Sequence, residues 1–329
     1  MNCWANRGVV GFVSLILVLF AGLLVSCDKG GGQPAGKPPK VGKMVMGFSQ
    51  IGSESDWRAA NTVSIKTEAE KRGVDLRFAD AQQKQENQIR ALRSFITQGV
   101  DIIAFSPVVE TGWEPVLREI SKAGIPVILT DRGVDVADPS LYAAFIGSDF
   151  IEEGRRAGKW LAANTTGDVK VFELRGTPGA SCATDRKKGF EEVLAGKDNS
   201  RIKIIQSQDG NFERGRGKEV MEAFLKTKEG KEFNALYAHN DDMALGAIQA
   251  MKEAGLKPGK DIKIVSIDGV KAAFEAMVAG ELNCTVECNP LLGPALFDLA
   301  EALVKKRVVI QEGVYDQSTA KDVIGSRKY

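Results

Sequence analysis

Histidine is almost absent from this chain: His239 is the one imidazole in 329 residues. A single imidazole excludes a His-rich metal centre, and no Cys or His pair has the spacing of zinc ligands. A Ser-His-Asp triad through His239 needs a nucleophile elbow, and Gly47-Phe-Ser-Gln-Ile-Gly52 is one residue too long for it. An excess of basic charge is missing as well. Lys and Arg number 44 against 43 Asp and Glu, a net charge of +1, so nothing is left over to neutralise nucleic-acid phosphates. No dinucleotide fingerprint follows the first apolar run, and Gly215-Arg-Gly-Lys218 sits in a helical run without phosphate-loop spacing. Residues 255–260 read as a helix stop and turn. Neither a cofactor nor an enzymatic activity is expected.

Cysteine is scarce, with five in all. Setting aside Cys3 and Cys27 in the leader leaves Cys182, Cys284 and Cys288, so at most one internal disulfide could form. Cys284 and Cys288 share a β-like run, and in an extended chain i and i+4 lie ~13 Å apart, too far to bridge. A pair involving Cys182 stays open, with free buried thiols as the default.

Long apolar runs are confined to the start. Residues 8–25 are apolar and lead into Leu24-Val25-Ser26-Cys27, the lipobox pattern of a bacterial lipoprotein signal. Residues 1–27 therefore read as a signal cleaved before Cys27, whose thiol takes the lipid; a transmembrane helix is the alternative. Residues 28–42, rich in Gly, Pro and Lys, read as a flexible tether. Either reading puts the remainder outside the cytoplasm, at a membrane surface.

What remains is abundant α/β patterning. The length allows about two domains. Strand-like runs at 44–49, 74–79, 100–107, 125–130 and 142–147 alternate with helical runs ending near 72 and spanning 85–98 and 112–123. The pattern restarts with helices at 151–164, 185–194, 213–226 and 243–254 set among strands at 170–174, 202–206, 235–238 and 262–267. A strand from Cys284 and a helix at 294–306 follow. Repeated βα units imply parallel sheets with right-handed crossovers.

The most informative stretch is 48–58, Phe-Ser-Gln-Ile-Gly-Ser-Glu-Ser-Asp-Trp-Arg, a loop between the first strand and its helix. Open α/β sheets place ligands at such carboxyl ends. Trp57 could stack on a sugar face while Glu54 and Arg58 bind hydroxyls; the plainer alternative is a helix capped by Ser53 or Ser55 with Trp57 packed on the core. Other strand ends carry polar groups too: Asp80, Ser106, Asp131-Arg132, 209–212, His239-Asn240-Asp241 and Asp268. Any one of these reads as a cap or turn residue. Together they form the donor and acceptor set that sugar hydroxyls require.

Four segments, Thr130-Asp-Arg132, Asp185-Arg-Lys-Lys-Gly-Phe190, Tyr237-Ala-His-Asn-Asp-Asp-Met-Ala-Leu-Gly246 and Ser266-Ile-Asp-Gly269, resemble the ribose and galactose-type periplasmic sugar-binding proteins of ABC importers. Residues 47–58, 82–88 and 111–115 are similar to the galactofuranose-binding members of that family. The resemblance implies two doubly wound, Rossmann-like parallel-sheet domains joined by a hinge, the type I periplasmic binding protein fold. Its domains would be 43–147 plus 289–309 and 148–288 plus 310–329. A monosaccharide would bind between them, with Trp57 and Phe212 as stacking walls and Glu54, Arg58, Asp131, Arg132, Arg186, Asn240 and Asp268 as polar partners. Glu287 joins this set beside Cys288, which stands where ribose binders place a glutamine. Asp56 stands where galactofuranose binders carry glycine. The implied protein is a monomeric, lipid-anchored receptor that hands sugar to an inner-membrane ABC permease. Presentation to a chemoreceptor or sensor kinase is the alternative.

Overall fold

The computed structural model describes residues 42–304. The lipobox, the tether up to residue 41 and the segment after 304, with the expected return to the second domain at 310, lie outside the described residues. Two five-stranded parallel sheets organise the chain. In the first, β1 (Val45–Gln50), β2 (Asp75–Asp80), β3 (Ile102–Phe105), β4 (Val127–Thr130) and β5 (Ala144–Ile146) run in the order β2-β1-β3-β4-β5. In the second, β6 (Val169–Arg175), β7 (Ile202–Asp209), β8 (Ala235–Ala238), β9 (Lys263–Asp268) and β10 (Cys284–Glu287) run β10-β9-β8-β6-β7. Read from its own first strand, the second sheet repeats the winding of the first. Each therefore has a switch point beside its first strand, where doubly wound folds bind ligands.

The centre of each sheet is apolar on both faces, as buried parallel strands require. All four residues of β3 and of β8 are buried. Around the first sheet pack α1 (Asp56–Lys71), α2 (Gln85–Gln98) and α3 (Glu114–Lys122), and around the second α4 (Phe150–Ala163), α5 (Ser181–Leu194), α6 (Arg214–Phe224), α7 (Asp241–Glu253) and α8 (Lys271–Val278). The last helix, α9 (Gly293–Val304), crosses back: Leu296, Phe297 and Ala300 join Met46, Phe48 and Ile65 in one cluster of the first lobe. The close approach of α9 to α1 depends on Gly293, where a Cβ would fall 2.4 Å from the Ser64 carbonyl oxygen.

Local chemistry explains the helix ends that bear on the site. Ser55 caps α1 by accepting from the Arg58 amide at 3.1 Å, Asp149 caps α4, and Asn240 caps α7. Gly99 ends α2 in the left-handed region. Two expectations are corrected. Helix α5 starts at Ser181, not at Asp185, because Ala180 has no capping side chain to announce the start. Helix α8 was not expected; it is eight residues long and its N-cap, Val270, makes no side-chain hydrogen bond. Cys182 and Cys288 are buried and Cys284 half-buried, and all three are free thiols. No helix among the described residues is long and apolar enough to cross a membrane.

Candidate functional site

Carboxyl ends of strands from both sheets meet around a small cavity. Its lining includes Glu54 and Ser55 from the β1–α1 turn, Trp57 and Arg58 from the first turn of α1, Asp131 and Arg132 after β4, Phe212 and Asn240 after β7 and β8, and Asp268 at the end of β9. Cys182 and Arg186 on α5, and Cys288 just past β10, complete it.

On the first-lobe side the charges are interlocked. The Arg58 guanidinium donates from Nε to Glu54 Oε1 at 3.0 Å, from Nη2 to Asp131 Oδ2 at 2.6 Å and from Nη1 to Gln50 Oε1 at 3.3 Å. Burial opposes its charge, but Asp131 and Glu54 outweigh burial and hold it firmly protonated. Its Cζ stands 4.7 Å from the Trp57 ring centroid. Asp131, just past β4, lies in the left-handed region, φ 62°, and its backbone amide donates to the Ile146 carbonyl at 2.7 Å. Arg132 donates to the Val108 carbonyl at 3.1 Å and lies 5.1 Å from the Phe212 ring centroid. Each aromatic wall is thus backed by a guanidinium, a cation–π arrangement.

Trp57 belongs to both lobes. It lies in the first turn of α1, yet it packs in the second-lobe core, and its Nε1 donates to the Cys288 carbonyl at 2.6 Å. The plainer alternative for residues 48–58 holds, with Ser55 capping the helix and Trp57 packed in the core, and the same Trp57 also lines the cavity. On the far side Arg186 donates to Glu153 Oε2 at 2.9 Å and to the His239 carbonyl at 2.7 Å, with Asp268 at 3.6 Å. Burial opposes the Arg186 cation, yet Glu153 and the other acidic neighbours hold it well above the ordinary guanidinium range. Because Glu153 takes the close bond, Arg186 compensates Asp268 only in part. Burial pushes the Asp268 carboxyl well above the usual carboxylate range, against the pull of the Arg186 cation. Phe212 and Asp268 adopt positive φ, 65° and 132°, strain of the kind found at ligand sites.

Two polar atoms of lining residues, Glu54 Oε2 and Arg132 Nε, are buried without a hydrogen bond inside the protein. Buried polar groups rarely go unpaired. A ligand rich in hydroxyls, each both donor and acceptor, is the chemical complement of this pair.

Of the expected residues, Glu54, Trp57, Arg58, Asp131, Arg132, Arg186, Phe212, Asn240 and Asp268 come together. Glu287 does not. It is solvent-exposed, whereas Cys288 next to it is buried at the cavity, because successive residues of an extended segment face opposite ways. Several other strand-end groups turn out to be structural. Asp80 accepts from the Gln82 amide, Asp209 pairs with Arg175, and His239 pairs with Glu173. Asp241 holds Ser266, Thr285 and the amides of Gly269 and Val270. Trp113 packs on Phe105 in the first-lobe core. Ser55 and Cys182 were missed as lining residues, and Glu153 as the partner of Arg186.

This geometry has close relatives. A profile for the periplasmic binding protein domain matches residues 46–307. The chain belongs to the periplasmic binding protein family. It is 53% identical to the galactofuranose-binding protein YtfQ of Escherichia coli (strain K12) over 293 residues, 87% of this chain and 92% of that one. Among solved structures, a Mycobacterium smegmatis protein in complex with β-D-fucofuranose is 52% identical, with a TM-score of 0.77 over 87% of this chain and 95% of that one. The binding component of the arabinose ABC transporter from Shewanella sp. ANA-3, bound to α- and β-L-arabinofuranose, is also 52% identical, with a TM-score of 0.77 over 87% and 96%. These relatives are substrate-binding proteins, not enzymes, and the two-sheet architecture is that of a type I periplasmic binding protein.

Proposed function

We propose that this periplasmic binding protein captures a monosaccharide in its five-membered furanose form, with galactofuranose or arabinofuranose chemistry, and delivers it to an ABC permease of the inner membrane. The observation that carries the reading is the cavity: two guanidinium-backed aromatic rings and a ring of buried carboxylate, guanidinium and amide groups drawn from both lobes. Aromatic faces take the apolar side of a sugar, and the charged groups take its hydroxyls. The furanose ligands named for relatives at 52% identity support the ring form. Binding would proceed by hinge closure of two domains, residues 43–147 plus 289–309 and 148–288 plus 310–329, with the protein monomeric. Cys27 would carry the lipid that keeps the receptor at the extracytoplasmic membrane face.

Calorimetry with D-galactose, L-arabinose, D-ribose and D-glucose tests the reading. Heat of binding for galactose or arabinose, lost in both Trp57→Ala and Asp131→Ala while far-UV circular dichroism is retained, is expected. Undiminished affinity in both variants sinks the site assignment.

A further inference from the structure

Outside the cavity, at the rim where the lobes meet, three charged side chains form one unit. Asp56 opens α1 of the first lobe; Arg214 opens α6 and Asp242 lies in the first turn of α7, both in the second lobe. Arg214 donates from Nε to Asp242 Oδ1 at 2.9 Å and from Nη2 to Asp56 Oδ2 at 2.9 Å. Asp242 Oδ2 accepts from the Asp56 backbone amide at 2.8 Å. The carboxylate of one lobe therefore sits on the positive N-terminus of a helix from the other. A neighbouring strut, Gln83 Nε2 to Glu213 Oε1 at 2.7 Å, crosses the same rim. None of the three charged residues lines the cavity.

We propose that Asp56, Arg214 and Asp242 are positioning residues that fix how tightly the receptor holds its sugar, by stabilising the closed lobes without touching the ligand. The proposal rests on the binding function above for its consequence, but its geometry stands apart from the ligand. The Arg214–Asp242 pair lies within one lobe and survives opening; both bonds made by Asp56 exist only on closure. The sign depends on Arg214. With the guanidinium present, Asp56 is drawn to the second lobe. Without it, two carboxylates confront each other across the rim, and closure is opposed. Because a ligand's apparent affinity scales with the closed fraction, each change in closure reads out directly as a change in Kd.

A double-mutant cycle tests this. Affinity for D-galactose and L-arabinose is measured by calorimetry in the native protein, Asp56→Ala, Arg214→Ala and the double variant, together with small-angle scattering of each in ligand-free solution. Asp56→Ala removes an exposed pair and is expected to weaken binding about 2–5-fold. Arg214→Ala is expected to weaken it further, by about 10-fold, and to enlarge the ligand-free radius of gyration. The double variant is expected to bind more tightly than Arg214→Ala alone, since the repulsion leaves with Asp56. Arg214→Lys, which keeps the cation, retains most of the affinity and guards against a folding artefact. At about 1 M salt, where screening reaches ~3 Å, the differences shrink. A double variant no better than Arg214→Ala in either affinity or scattering overturns the proposal. If no variant binds sugar but scattering follows the expected order, the rim device stands and the sugar reading fails.

Discussion

The Trp57 indole donates to the Cys288 carbonyl oxygen across 2.6 Å, fastening the first turn of α1 to the end of β10 in the other lobe. One side chain thereby serves as cavity wall, core residue and tie between the lobes.

Trp57→Phe separates those roles. An aromatic face is kept, though the smaller phenyl fills less of the core, and a buried carbonyl loses its donor, which costs about 1–3 kcal/mol. Sugar affinity is expected to fall by about 5–100-fold, well short of the complete loss expected for Trp57→Ala. Calorimetry on the two variants side by side checks this.

Arg58→Lys is not a conservative change here. The planar guanidinium reaches Glu54, Asp131 and Gln50 in three directions; an ammonium is a point charge that serves one of them. Breaking a buried ion pair this way costs about 3–5 kcal/mol. Chemical denaturation is expected to show that loss, with sugar binding abolished. A denaturation midpoint equal to that of the native protein would contradict the interlocked reading.

Gly176→Ala probes the aromatic wall indirectly. A Cβ at position 176 would stand 1.9 Å from Phe212 Cζ. The ring must leave its place, and its backbone, already at positive φ, has little room to follow. Affinity is expected to fall more than about 10-fold, while the second-lobe core, which loses only the packing of Phe212, keeps the fold. The comparison is sugar titration against thermal unfolding.

A pH dependence follows from His239. The ring is buried against Glu173 at 3.1 Å, and burial lowers its proton affinity below the ordinary imidazole value despite that carboxylate. Below pH about 6.5 the unfolded chain takes up a proton that the folded chain refuses, so stability falls as the solution is acidified through that range. Burial opposes the Glu173 charge, but His239, Ser207 and Lys187 bring its carboxyl down to about 2, which acts in the same direction at lower pH. Burial raises Asp241 to about 6 and works against both. The difference between native protein and His239→Gln isolates the imidazole: melting temperature plotted against pH is expected to be flatter for the variant between pH 7 and 5.

Much of this could be read from the sequence because the central strands are apolar on both faces and helices such as α2, α3 and α4 carry clear periodicity. Residues 102–105 and 235–238 announce buried parallel strands, and of the polar groups at strand ends Asp131, Asn240 and Asp268 line the cavity whereas Asp80, Asp209 and His239 are structural. The failures have separate causes. Helix α8 lacks a capping side chain and leaves Phe274 and Val278 exposed, so neither signal of an amphipathic helix is present. Glu287 and Cys288 are neighbours in sequence, and only the register of β10 decides which faces inward. Glu153 is one of two acidic residues early in α4; its selection of Arg186 depends on the α4–α5 approach, where a Cβ on Gly154 would fall 2.1 Å from the Arg186 carbonyl oxygen.

The Trp57–Cys288 bond joins residues 231 positions apart. Contacts of such separation demand closure of a loop almost as long as the whole described chain, and they form late on a folding pathway. Each lobe can assemble most of its sheet before that bond exists, so the cavity is among the last features to appear. A sugar that needs the finished cavity cannot speed refolding; its effect falls on the rate at which the native state unravels.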